Sequence, residues 1–294
     1  MDYEELKQKN KREAIDAVRL YEGDIRIRDE EGNLVNRQLF DSFYGDKNAY
    51  RTLNALLFPG ISNEKSRIQR EGKQLNPIFL EKIDKTIDIY CHIFRFMCWE
   101  YRIRDKEWVI AKRVERLSSL ALLKQGQTLS FISASKASYD KEFAKKDGVI
   151  LIEIHISPDV PYLDFEKALG MEYKNIGERE VLLAPFVDIE INEMELTLKE
   201  KRTIRDINGN PPVGKYRIDA IGIQDYQTRD KVVVPLEDVK NDVFEKIYIP
   251  LEAVSAMNKE EWDKDFSEYI KWKEEIQRYL RYKLSDMWYR GNDI

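Results

Sequence analysis

The hydrophobic period of this chain changes twice, and that change limits the folds open to it. Before Trp108 the apolar side chains recur at helical spacing. Leu6, Ile15, Val18 and Tyr21 mark a helix within residues 3–22, and a second helix carries Tyr50, Leu53, Asn54 and Leu57 until Pro59 and Gly60 stop it. A third opens at Asn76 and Pro77, an N-cap followed by a first-turn proline, and continues through Phe79, Ile83, Ile87, Tyr90, Cys91 and Phe94. Six short β-rich runs follow, WVIAKRVE, LSFISAS, GVILIEIHIS, EVLLAPFVDIEI, MELTLKEKRTI and YRIDAIGI, separated by turn residues. From about residue 259 the helical period returns through Trp262, Phe266, Tyr269, Ile276, Leu280, Leu284 and Met287. Helices first and strands after predict an α+β fold.

Composition narrows the function. The 294 residues, 43% of them hydrophobic, can bury a core of ordinary size. The formal net charge of −5 provides no overall positive field, so nucleic acid is not indicated as a partner and would need a local basic patch. No apolar stretch is long enough for a membrane span, and MDYEELKQKNKREA is too polar for a secretory leader. The expected location is the cytoplasm, or export without a leader into a target cell. Cys91 and Cys98 share a helix face near a core and suit a reducing compartment. His92 and His155 lack the spacing of a metal site or of a nucleophilic triad, so no metal is expected. Carboxylates are left to carry the chemistry.

Three features lie on separate β-rich segments: Arg113 in WVIAKR, the triplet Ser133-Ala134-Ser135 in LSFISAS, and Glu178-Arg179-Glu180 opening EVLLAPF. Each alone has an ordinary surface explanation. Their order and spacing, with Ser133 following Arg113 by 20 residues and Glu180 following Ser133 by 47, make them informative together.

This arrangement resembles the R-S-E class of mono-ADP-ribosyltransferases, which includes clostridial binary toxins and the vertebrate arginine-specific enzymes. The strand arginine after an apolar run, the serine triplet after an aromatic and a hydrophobic residue, and GEREVLLAP all fit that pattern. Ala134 departs from it, standing where the family usually has threonine. The resemblance covers roughly residues 40–225 and implies NAD as the substrate.

The residue roles follow from the resemblance. Glu180 would bind the ribose 2′-hydroxyl and stabilise the ribosyl cation left by nicotinamide, a charge pattern shared with glycoside cleavage. Arg113 offers a guanidinium fork to the pyrophosphate or adjacent ribose, and Ser133 would hold Glu180 in register. Tyr50 and Asn54 fit the family's helical pair that touches NAD. Phe143 falls where an aromatic covers the nicotinamide, with Tyr139 as its competitor. Strand alternation would project Glu178 and Glu180 together, so that like charges raise one pKa and Glu178 serves as base on the acceptor side. A glutamate at the place of Glu178 implies an arginine acceptor, and Tyr173, in the loop just before it, would contact that acceptor.

The resulting expectation is an ADP-ribosyltransferase fold, with N-terminal helices packed on two small facing sheets around an NAD cleft, spanning residues 1–225. Residues 226–294 form a C-terminal appendage ending in an amphipathic helix. The activity is a glycosyl transfer from NAD to a macromolecular acceptor, a protein arginine above all, as in a bacterial toxin or effector. The alternatives are an NAD glycohydrolase, and a silent interaction module that keeps the fold. The C-terminal helix packs on its own chain or docks a partner.

Overall fold

Apolar residues three and four apart between Ile87 and Cys98 give one helix a continuous buried face, and a computed structural model places that helix, α1, at Ile83–Ile103. The structure describes residues 12–15, 17, 18, 21, 54, 83–139, 144–170, 179–226 and 259–291. The expected start of α1 at Asn76 and Pro77 lies outside them. The described residues up to Arg95 and from Asp225 belong to one compact unit, and Phe96–Gln224 form a second.

In the first unit, Ala14, Ala17, Val18 and Tyr21 are buried, as are Ile87, Tyr90, Cys91, Ile93 and Phe94 of α1. The C-terminal helix Lys259–Arg290 buries Ile276, Leu280, Leu284 and Met287, the second part of the stripe its spacing predicts; the side chains of Trp262, Phe266 and Tyr269 lie outside those described. Phe94 meets Trp288 edge to face at 6.4 Å between ring centres. Among the described residues no helix is long and apolar enough to cross a membrane.

The second unit is built on strands. In chain order these are β1 (Val109–Arg116), α2 (Leu120–Leu123), β2 (Ile132–Ser135), β3 (Val149–Ile156), β4 (Tyr162–Asp164) and α3 (Phe165–Leu169). Then come β5 (Glu180–Leu183), β6 (Val187–Met194), α4 (Leu198–Thr203) and β7 (Gly214–Ile223). They make a mixed α/β architecture on one seven-stranded sheet of order β4-β5-β2-β1-β3-β7-β6. β3 pairs with β1 from Val109 to Arg116 and runs parallel to β7; the other pairings are antiparallel. Lying between two neighbours, β3 buries Val149, Ile150, Leu151, Ile152, Ile154 and Ile156, so its first half reads as a continuous apolar run before Glu153 and His155 alternate with isoleucine.

The ladder is uneven. β1 and β2 meet at a single pair, Lys112 with Ser135. The two small sheets anticipated from the sequence are thus the halves β4-β5-β2 and β1-β3-β7-β6 of one ladder, joined at a thin seam.

The sheet also curls back on itself. The segment ahead of β2 bonds to the start of β6, at the opposite end of the order: Thr128 N–H donates to Val187 O at 2.9 Å and Phe186 N–H to Thr128 O at 2.7 Å. The fully buried Thr128 hydroxyl donates to Ala184 O and accepts from Val187 N–H, both at 2.9 Å. These bonds hold Phe186, a buried aromatic at φ 60°, in the left-handed region that bulky residues rarely occupy. Thr128→Val keeps the shape but strands the Val187 N–H, and is expected to cost about 2 kcal/mol. Urea unfolding measures it, and a loss below about 0.5 kcal/mol would mean that the hydroxyl closes nothing.

One expected strand is a helix. MELTLKEKRTI contains α4, because Thr197 and Glu200 form a capping box: Glu200 N–H donates to Thr197 Oγ1 at 3.1 Å and Thr197 N–H to Glu200 Oε2 at 2.8 Å. The Thr-x-x-Glu signature and the helix-forming Lys and Glu outweigh the apolar alternation. EVLLAPFVDIEI splits into β5 and β6 around Pro185, and the short β4 was not anticipated.

Candidate active site

Arg113 lies in the middle of β1, Ser133 in β2, and Glu180 is the first residue of β5. In the antiparallel β2–β5 ladder Ser133 stands opposite Leu182 and Ser135 opposite Glu180. Ser133 and Glu180 are therefore diagonal neighbours on one face, a separation that a long acidic side chain spans. The Ser133 hydroxyl donates to the Glu180 carboxylate. Glu180 is only 9% exposed, and a carboxylate taken out of water needs such donors.

Arg113 reaches the same serine from across the seam. One Nη donates to the carbonyl of Ser133, while Nε donates to Glu115 Oε1 at 2.6 Å and the other Nη pairs with that same oxygen. Burial raises the Glu115 carboxyl. The Arg113 guanidinium, Lys146, the bond from Arg113 and the Arg116 N–H outweigh it and hold the group below the usual carboxylate range. Arg113, Ser133 and Glu180 thus form one bonded chain across β1, β2 and β5.

The end of β2 is fastened to the approach of β5. Lys136 N–H donates to Arg179 O at 3.0 Å, and its ammonium pairs with Asp164, which also caps α3. Arg104 carries the brace further: its guanidinium donates to Tyr162 O at 2.9 Å and stacks 3.6 Å over the Tyr162 ring, fixing the strand that ends in Asp164.

Arg179 departs from the extended backbone assumed for the acidic motif. Its φ is 47°, and β5 begins only at Glu180. Strand alternation therefore does not run back through Arg179, and the expectation that it projects Glu178 and Glu180 to one side loses its premise. Glu178 itself lies outside the described residues.

Tyr139 is a core residue rather than a cover for a ligand ring. It packs with Val114, Ala144, Val149, Leu151 and Ile204, and Lys112 Nζ stands 5.9 Å from its ring centre. Its hydroxyl meets no hydrogen-bond partner among the described residues. Burial first, then Glu200 and Glu153, push its pKa well above the ordinary value. Phe143, Tyr50 and Tyr173 lie outside the described residues. Asn54 belongs to the other unit, where its amide donates to Tyr21 Oη at 3.1 Å and accepts from Tyr90 Oη at 3.4 Å.

Sequence reasoning missed Glu115, Lys136 and Asp164. Glu115 was within reach of it, since residues two apart on a strand share a face. Lys136 and Asp164 are 28 residues apart and meet through the ladder, for which no local pattern exists.

No family model matches the sequence, and no curated protein matches it. Solved structures do. The catalytic domain of VahC from Aeromonas hydrophila is 15% identical at a TM-score of 0.36, over 64% of this chain and 100% of that one. The ADP-ribosylating toxin BECa of a binary enterotoxin of C. perfringens, solved with NADH, is 17% identical at 0.34, over 70% of this chain and 47% of that one. Plx2a, an ADP-ribosyltransferase toxin from Paenibacillus larvae, is 13% identical at 0.32, over 63% and 96%.

Proposed function

We propose that this chain is an NAD-dependent mono-ADP-ribosyltransferase that transfers ADP-ribose to a protein arginine. The observation that carries the reading is the buried Glu180 carboxylate bonded by the Ser133 hydroxyl, whose own carbonyl holds the Arg113 guanidinium. A fixed carboxylate beside a fixed cationic fork suits a substrate that joins an anionic pyrophosphate to a ribose about to become cationic.

In the proposed reaction the bond between C1′ of the ribose and the nicotinamide nitrogen breaks, and its electron pair leaves with nicotinamide. The ribosyl group is left with oxocarbenium character. Glu180 accepts the 2′-hydroxyl and lends negative charge to that cation. Ser133 keeps the carboxylate aimed, and Arg113 binds the pyrophosphate side. The acceptor guanidine then attacks C1′ and gives up a proton, which Glu178 takes as general base. Phe143 covers the nicotinamide and Tyr173 meets the acceptor, with residues 1–225 as the catalytic region and 226–294 as its appendage.

The test is incubation with labelled NAD and a cell lysate. Label that appears on protein and is released by hydroxylamine supports an arginine linkage. Nicotinamide release without protein label favours the glycohydrolase reading, and neither signal removes the enzyme reading. The acceptor base is tested separately. Glu178→Gln is expected to lose transfer to an arginine acceptor by about 10²- to 10⁴-fold while keeping most NAD hydrolysis, since water needs less help once the cation has formed. Equal loss of both activities would mean that the two glutamates act as one unit.

A further inference from the structure

We infer that Glu115 is a positioning residue that sets both Arg113 and Ser133, by clamping the guanidinium that bridges the seam between β1 and β2. For its effect on turnover the inference rests on the transferase reading given above. The clamp is anchored at both ends. Glu115 Oε1 accepts Arg113 Nε at 2.6 Å, and Oε2 faces the turn that ends β1, with Arg116 N–H at 3.3 Å and Ser119 Oγ at 3.4 Å. The far side of the guanidinium donates to the Ser133 carbonyl.

An arginine and a glutamate two apart on a strand often make a surface pair of little consequence. Two features separate this pair from that case. The Glu115 side chain is 16% exposed, so solvent screens it less than a surface carboxylate. The backbone ladder at this seam is one pair, Lys112 with Ser135, so the place of β2 against β1 depends on the side-chain bridge far more than between β1 and β3, where pairing runs the full strand. An unbroken series of bonds joins Ser119 to Glu115, Arg113, Ser133 and Glu180. Removing Glu115 takes away the acceptor of Nε and of one Nη, so the guanidinium loses that anchor and a serine held partly by it shifts.

The test uses the full chain with Glu115→Ala and Glu115→Gln. Glu115→Ala is expected to lower kcat/KM for nicotinamide release by about 10- to 100-fold, the cost of a small misplacement of reacting groups. Glu115→Gln keeps an acceptor for Nε but loses the charge assistance, and is expected to lose about two- to fivefold. In an Arg113→Ala background Glu115→Ala should add no further loss, because the effect passes through the arginine. Independently of NAD, nuclear magnetic resonance should show the Arg113 Nε–H signal broadened in Glu115→Ala and faster amide exchange at Ser133, Ala134 and Ser135. A fall in melting temperature with kcat/KM and the Nε–H signal unchanged overturns the inference. So does an additive loss in the Arg113→Ala background. If the wild-type chain neither binds nor cleaves NAD, the transferase reading fails, and the resonance and exchange measurements still decide whether Glu115 positions Arg113 and Ser133.

Discussion

Glu180→Gln is expected to stop both nicotinamide release and transfer, with kcat down by on the order of 10²- to 10³-fold and the fold intact. The amide keeps the shape of the side chain and can still accept from the Ser133 hydroxyl, so the change isolates the negative charge. That charge matters only once the ribosyl group becomes cationic, so kcat should fall far more than KM rises. Single preorganised groups facing developing charge contribute roughly 3 to 4 kcal/mol, which sets the magnitude. Chromatographic assay of nicotinamide, beside a thermal melt, measures it. A variant that keeps more than a tenth of the wild-type rate would remove Glu180 from the chemistry.

Arg113→Ala should weaken NAD binding by roughly 10²-fold, because a guanidinium fork on a phosphate makes two charge-assisted bonds that alanine cannot replace. Arg113→Lys should recover part of the loss, since it restores the charge without the fork. Isothermal calorimetry reads both. Affinity equal to wild type in Arg113→Ala would take the arginine out of the site. The alanine variant also takes the guanidinium away from Glu115 Oε1 and from the Ser133 carbonyl, so some loss of stability accompanies it, and the melt separates that loss from binding.

What the sequence made legible was local or periodic. The C-terminal helix and the burial of its stripe from Ile276 to Met287 follow from spacing alone, as do β1, β3 and β7 from their β-branched runs. Ser133 and Glu180 were linked through the family pattern, and their separation in sequence says nothing of the diagonal register that lets them bond. α4 lies where the apolar alternation of MELTLKEKRTI predicts a strand, because the capping box of Thr197 and Glu200 starts a helix there. The left-handed backbone at Arg179 has no sequence signal, since glycine or asparagine is the residue that marks such a turn. The latch at Thr128 was also hidden: a buried threonine in LKQGQTLSF looks like any strand residue until the sheet curls and brings β6 to it.

The seam between β1 and β2 can be considered as a joint under load. Strands that share a full ladder distribute a shearing force over many bonds in parallel, so the half made of β1, β3, β7 and β6 behaves as a stiff plate. Among the described residues, the half that carries Ser133 and Glu180 is fixed to that plate by the Lys112–Ser135 pair, by the Arg113 bridge and, around the Thr128 latch, by Gln127 bonded to Asp188 and Ile189 N–H bonded to Gly126 O. Strain applied to the sheet concentrates there, between the cation on one plate and the carboxylate on the other. The alignment of the two charged groups is then a tolerance held by a few fasteners, and it drifts before the stiff plate itself deforms.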